Sequence, residues 1–218
     1  MTSSESQTSV KVRPPPSFIE IAQESSWIPT PENWLYGSWH MTHTSQQYYW
    51  ERTKNFVIQY AAVMNGVWPC SNQELVSLTP ISQPERVYTA FGIDSPIAGL
   101  DDAWLCQCTG HLSHISDHVA FLAWGSDSHE VDWVVLYSAP LPGATVGLPA
   151  QVAIMSRARF GPDDDTVKDI KDALCAAGDV ELTKLVGNMR PLLQEDLEGG
   201  RPTCEYNVVQ NVDSLTRF

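Results

Sequence analysis

The chain has 218 residues, 43% of them hydrophobic, with 26 acidic against 13 basic side chains and a formal net charge of −13. That length suits one domain with a substantial core and excludes a second independent unit. The acidic balance disfavours partners whose affinity comes from phosphate neutralisation or an anionic leaflet, so neither nucleic acid nor a membrane surface is expected.

Residues 1–16 are rich in Ser and Thr and end in Pro14-Pro15-Pro16. With little to bury, they are expected to form a disordered tail. They contain no apolar run suited to a signal peptide, and no later stretch reaches the ~18 consecutive apolar residues of a spanning helix, so a soluble, cytoplasmic protein is expected. Cys70, Cys106, Cys108, Cys175 and Cys204 form an odd, irregularly spaced set, which reads as reduced thiols rather than a disulfide framework. Residues 17–25 can form a short helix, which Pro29 and Pro31 prevent from continuing.

From Gly37 the apolar residues alternate, and strand follows strand with no convincing helix between them until about Arg157. The candidates are residues 37–45, 56–63, 75–81, 86–92, 104–112, 119–124, 131–138 and 151–159. Asn65-Gly66, Gln83-Pro84, Ser95-Pro96, Gly125-Ser126-Asp127-Ser128 and Pro140-Leu141-Pro142-Gly143 separate them with turn chemistry. Short connections favour up-and-down antiparallel order, and eight such strands predict an all-β closed barrel with an internal cavity. The period then changes. Val167, Ile170 and Leu174 recur at helical spacing after an acidic start, and Leu182, Leu185, Val186 and Met189 repeat on a second helix that Pro191 limits. Residues 17–197 are thus one barrel domain with C-terminal helices at about 163–194, followed by a tail or strap over 198–218.

Strand alternation assigns faces. If the charged Asp132 faces water, Trp133, Val135 and Tyr137 point inward. An inward Trp39 carries Met41 and His43 with it. On the last strand Ala153, Met155 and Arg157 share a side, which lets Arg157 cover Trp39 in a cation-to-ring contact at the barrel floor. The second strand is ambiguous, and one of its two faces would make Gln59 a lumen amide. The faces of the fourth and fifth strands are equally open, with Tyr88 and Trp104 the side chains of interest. Any one of these aromatics is explained by core packing alone. As a set, and with eight tryptophans in the chain, they suit a large, flat or unsaturated guest.

Cys106-Gln107-Cys108 with His111 and His114 offers zinc-type donors, but on a strand the two histidines fall on opposite faces, and no metal is expected. Gly-rich phosphate loops, nucleophile elbows and zinc-peptidase motifs are absent from the sequence, and no cofactor is expected.

Gly37-Ser38-Trp39 with Arg157 resembles the floor signature of the calycin and lipocalin group. The strings Gly37-Ser38-Trp39-His40-Met41-Thr42-His43-Thr44-Ser45, Lys54-Asn55-Phe56-Val57-Ile58-Gln59-Tyr60, Phe91-Gly92-Ile93-Asp94-Ser95-Pro96 and Ile154-Met155-Ser156-Arg157 resemble small lipocalin-like proteins of fungal secondary metabolism. Within that group the chain is similar to the hetero-Diels-Alderases that join a tropolone-derived quinone methide to a humulene-type sesquiterpene. The resemblance implies a cofactor-free cyclase that dehydrates a hydroxymethyl tropolone, or accepts the quinone methide, and holds it against the alkene. Under that expectation His43, Gln59 and Tyr137 share the acid-base and oxygen-stabilising roles, while Met41, Trp68, Tyr88, Trp104, Trp133, Met155 and Arg157 contact the substrate. The rival reading is a passive carrier of an apolar metabolite in the same barrel. A homodimer is left open.

Overall fold

A computed structural model describes residues 10–18, 27–63, 71–141 and 149–195. Eight antiparallel strands close into a barrel: β1 (Gly37–Thr44), β2 (Thr53–Ala62), β3 (Asn72–Pro80), β4 (Tyr88–Pro96), β5 (Ala103–Cys108), β6 (Ser116–Ser126), β7 (Asp132–Pro140) and β8 (Gln151–Ser156). Each pairs with its sequence neighbour, and β1 bonds to both β8 and β2, leaving no free edge. All eight strand candidates appear, in the expected up-and-down order.

Two helical pieces interrupt the run of strands: α1 (Gln47–Arg52) bridges β1 and β2, and a single 3-10 turn over Gly110–Leu112 ends the expected strand 104–112 after Cys108. They replace the continuous strand character read from the sequence. Six residues are too few to show an amphipathic period, and α1 holds its place by tertiary contact, with Tyr49 set edge-on to Phe56 at 5.0 Å. Where β1 and β2 part around α1, residues 190–193 fill the seam. A short strand β9 (Arg190–Pro191) pairs with His43 and Thr44, Leu192 N–H donates to Thr42 O, and Asn55 N–H donates to Leu193 O.

The two C-terminal helices, α2 (Asp164–Ala176) and α3 (Val180–Asn188), start where Asp163 and Asp179 accept hydrogen bonds from Thr166 N and Leu182 N, at 2.7 and 2.6 Å. Their apolar stripes, Val167, Ile170, Leu174, Leu182 and Val186, are buried against the outer face of β7 and β8. Burial at this level stabilises by about 1.5–3 kcal/mol per large side chain. No helix among the described residues is long and apolar enough to cross a membrane.

Residues 10–16 differ from the solvated tail their composition suggests. Val10 and Val12 pack against the outer core, and Arg13, 5% exposed, donates to the carbonyls of Phe121, Asp101 and Asp102 at 2.6, 2.9 and 2.9 Å. A single Arg that satisfies several buried carbonyls outweighs a polar composition. The expected helix over 17–25 lies largely outside the described residues.

The barrel wall separates two cores. Inside are Trp39, Met41, Phe56, Ile58, Tyr60, Phe121, Val134, Leu136, Ala153 and Met155. Outside, beneath the helices, are Trp133, Val135, Tyr137, Val152 and Ile154. At the floor, the Arg157 guanidinium lies 3.8 Å from the Trp39 ring centroid, as expected, and donates to the carbonyls of Trp34, Tyr36 and Ser38. Gly37 has φ 104°, and a Cβ there would stand 3.1 Å from the Arg157 side chain, so both backbone and space require glycine.

Candidate functional site

The inner faces of β2 to β6 carry a cluster of acids that the sequence reading did not single out. Strand register places Tyr60 beside Glu74, Glu74 beside Gly92, Asp94 beside Cys106, and Cys106 beside Asp117. These positions share the lumen side because Ile58 and Val76, paired with each other and two residues from Tyr60 and Glu74, belong to or pack on the inner core. Gly92 keeps the middle of the cluster open: a Cβ there would lie 3.4 Å from Cys106 Sγ. Cys106 Sγ–H donates to Glu74 Oε2 at 3.7 Å.

Burial governs the chemistry of this cluster. Desolvation, then the Asp94 charge, pushes the Glu74 carboxyl well above the usual carboxylate range. Desolvation raises Asp94 to about 6, opposed by hydrogen bonds from Cys106 and Glu74. The pair therefore shares one proton at neutral pH, held on Glu74 and offered to Asp94. Asp117 is also raised to about 6 by burial. The Cys106 thiol is driven far up by burial and by the Glu74 and Asp94 charges, and Cys108 to about 11, so neither is a nucleophilic thiolate. Burial and the nearby acids also keep the Tyr49 and Tyr60 phenols protonated.

Several buried polar atoms here have no hydrogen-bond partner: Asp94 Oδ1, on a side chain 3% exposed, Asp117 Oδ1 and Trp50 Nε1. Atoms of this kind represent unspent hydrogen-bonding capacity of about 1–3 kcal/mol each, which a bound molecule can satisfy. Glu74, Asp94 and Cys106 are also the described residues whose donor atoms, all within 4.8 Å of one another, could hold a metal ion.

A pocket opens on the same inner strand faces. A pocket of about 620 Å³ is lined by Val76, Leu78, Tyr88 and Ala90 from the lumen faces of β3 and β4, with Tyr48, Glu51 and Arg52 of α1 at its rim. That size matches sites for small organic molecules. Glu74 and Gly92 are the next inward-facing residues along the same two strands, so the acids lie beyond the pocket on the faces that line it.

The expected site residues divide by the wall. Met41, Tyr88, Trp104 and Met155 lie on the lumen side; Trp104 meets Phe121 edge-on at 5.0 Å. Arg157 is at the floor, engaged with Trp39. Trp68 lies outside the described residues. His43, Gln59, Tyr137 and Trp133 do not reach the lumen. Tyr137 and Trp133 sit in the outer core beneath α2 and α3. Asp132 misled the assignment, because it faces inward at the strand end and is satisfied there by Ser126 Oγ and Trp34 Nε1 at 2.7 and 3.1 Å. His43 is turned outward by a bulge after Met41. Burial lowers it to about 4, followed by Lys171 of α2, with Asp164 opposing. Gln59 donates to Ser38 Oγ on the exposed outer surface.

No family model matches the sequence. The barrel is a lipocalin-like fold: it superposes on lobster apocrustacyanin A1 with a TM-score of 0.54 at 12% identity, over 87% of this chain and 93% of that one. Apocrustacyanin C2 gives 0.51 at 13%, over 86% and 92%. At such identities the likeness concerns the fold alone. In sequence, the chain is 83% identical over 215 residues to botcinic acid biosynthesis cluster B protein 12 of Botryotinia fuckeliana (strain B05.10), covering 99% of this chain and 98% of that protein. It belongs to the same family as that protein.

Proposed function

We propose that this protein is a cofactor-free cyclase of secondary metabolism that works inside its barrel, using the Glu74–Asp94 pair as a proton-relaying dyad. The observation that carries this reading is the unpartnered Asp94 Oδ1, buried on the inner barrel face beside a carboxyl raised well above the usual range. An acceptor of this kind, with a pKa near working pH, suits a general base. The 83% identical relative, named for a biosynthetic cluster, supports small-molecule biosynthesis as the setting.

The reaction we assign is dehydration followed by hetero-Diels-Alder addition, with a hydroxymethyl tropolone and a humulene-type alkene as the pair the sequence resemblance indicates. Asp94 Oδ1 takes the proton of the ring hydroxyl. Glu74, which holds its proton, gives it to the departing hydroxymethyl oxygen, so water leaves, a neutral quinone methide remains, and Asp94 passes the ring proton back to Glu74. Asp117 stands two strands from Asp94, about 10 Å at the usual spacing, which leaves room for a ring between them. The addition itself moves no proton. It needs the two partners held face to face, which can remove up to ~7–11 kcal/mol of the barrier, and it needs water kept from the quinone methide. Tyr88, with Val76, Leu78 and Ala90, forms pocket walls suited to both tasks, and Met41, Trp104 and Met155 belong to the packed inner core.

The test is incubation of the purified protein with a hydroxymethyl tropolone and humulene, with the adduct resolved by chiral chromatography. Adduct formed faster than in buffer, with one enantiomer in excess and loss of both effects in Asp94→Asn, is the expected result. Racemic adduct at the buffer rate refutes the reaction. Tight binding without acceleration would instead make the protein a carrier.

A further inference from the structure

We infer that the lumen admits neutral or positively charged guests and refuses carboxylates, so that this protein acts while any acid function of its substrate is absent or masked as an ester, lactone or amide. This rests on the lumen being the binding site, as proposed above. The ionisable side chains on the inner strand faces, among the described residues and apart from the floor, are Glu74, Asp94, Asp117, Cys106, Cys108, Tyr60 and Tyr88, joined by Tyr49 from α1, with Asp132 at the floor end of β7: every one is an acid, and none becomes positive.

The cations nearest to this wall are committed elsewhere or stand at its margin. Arg157 is held by Trp39 and three carbonyls at the floor. Lys54 pairs with Glu195 in the seam between β1 and β2. Arg52 sits at the rim of the pocket, where an anion would stop short of the interior. A carboxylate carried past Arg52 would lose its water and meet Asp94 and Asp117, whose buried oxygens already lack partners. Those same oxygens favour a guest that brings a hydroxyl or an ammonium. Like charges in a desolvated site disfavour binding on the order of 100-fold.

This places the protein in a reaction sequence by chemistry. The preceding class of reaction must deliver a neutral, hydroxyl-bearing molecule, such as the product of a carbonyl reduction or a hydroxylation. Ester hydrolysis or aldehyde oxidation, either of which would expose a carboxylate, must come later.

The test uses pyrenebutanol and pyrenebutyrate, two fluorescent probes with one skeleton that differ in a neutral alcohol and a carboxylate. Each is titrated near neutral pH into the full-length protein, with tryptophan-to-pyrene energy transfer as the readout. The alcohol should bind and be displaced by the pocket-filling variant Ala90→Trp; the carboxylate should bind on the order of 100-fold more weakly. In the Glu74→Gln/Asp94→Asn double variant the gap should fall below about ten-fold; Asp117→Asn, which should narrow it in part, serves if the double variant does not fold. Equal binding of both probes in the wild type overturns the inference and leaves the lumen as a site. A gap unchanged in the variants assigns the selectivity to shape and also overturns it. Equal binding that chelator converts into selectivity would mean that a metal ion neutralises the cluster, which again overturns it. Binding of neither probe would instead defeat the lumen reading itself.

Discussion

Replacing Asp94 by Asn should stabilise the protein at neutral pH, an unusual outcome for a buried polar side chain. Asp94 is 3% exposed, and its pKa rises from 3.8 to about 6. At about 1.36 kcal/mol per unit, ionised Asp94 costs on the order of 3 kcal/mol above pH 6. The sign follows from proton counts. Between pH 3.8 and about 6 the folded state binds more protons than the unfolded chain, so stability falls as pH rises through that window. Glu74, raised well above the usual carboxylate range by burial and the Asp94 charge, acts in the same direction as Asp94. His43 opposes it: with its folded pKa lowered to about 4, the protein loses stability as pH falls from 6.5 toward 4. Asp117, raised to about 6, acts in the same direction as Asp94. The wild-type profile is therefore a blend, and the difference between wild type and Asp94→Asn reports Asp94 together with its coupling to Glu74. Guanidinium unfolding from about pH 4 to pH 8 should show the variant ahead by about 2–3 kcal/mol at pH 7, roughly 5–10 °C in melting temperature, with the gap closing toward pH 4. A variant less stable than wild type by a margin independent of pH would refute the buried-charge argument.

Gly125 faces the Trp133 indole, and a Cβ there would stand 2.9 Å from Cζ2; Gly125→Ala should cost about 1–3 kcal/mol in urea unfolding. Arg157→Met leaves the Trp34, Tyr36 and Ser38 carbonyls without their shared donor and should cost about 3 kcal/mol by the same measurement, the alkyl chain still covering Trp39. His43→Gln, Gln59→Ala and Tyr137→Phe lie on the outer side of the wall and should leave pyrenebutanol affinity within about two-fold. Val76→Trp, which fills the pocket, should weaken it more than about ten-fold.

The barrel was legible in the sequence because turn chemistry and period-two alternation agree along the whole stretch from Gly37 to Ser156. The floor was legible because Gly37, Trp39 and Arg157 resemble the floor signature of the lipocalin group, and the Arg157–Trp39 contact is present. The inner face of β7 was not legible. Alternation reports polarity, and when both faces of a strand are buried, as for Trp133 to Tyr137, a single charged residue at the strand end decides the assignment, here wrongly. The acid cluster was hidden for the opposite reason. Glu74 and Asp94 each look like a solvent-facing residue within an otherwise apolar strand, and only the register across β3, β4 and β5 reveals that they meet. One signal was available: Glu74 shares a face with Val76 and Leu78, which an exposed carboxylate would not. Cys106 and Cys108 were read as sharing one strand face, which holds, while the partners of Cys106 lie on neighbouring strands rather than nearby in sequence.

The most direct test of the central claim compares metabolites in the producing organism after the gene is replaced by single variants. Asp94→Asn should abolish the same product as deletion of the gene, while Tyr137→Phe and His43→Gln retain it. Normal metabolites with Asp94→Asn, and their loss with Tyr137→Phe, would contradict the assignment of chemistry to the inside of the barrel.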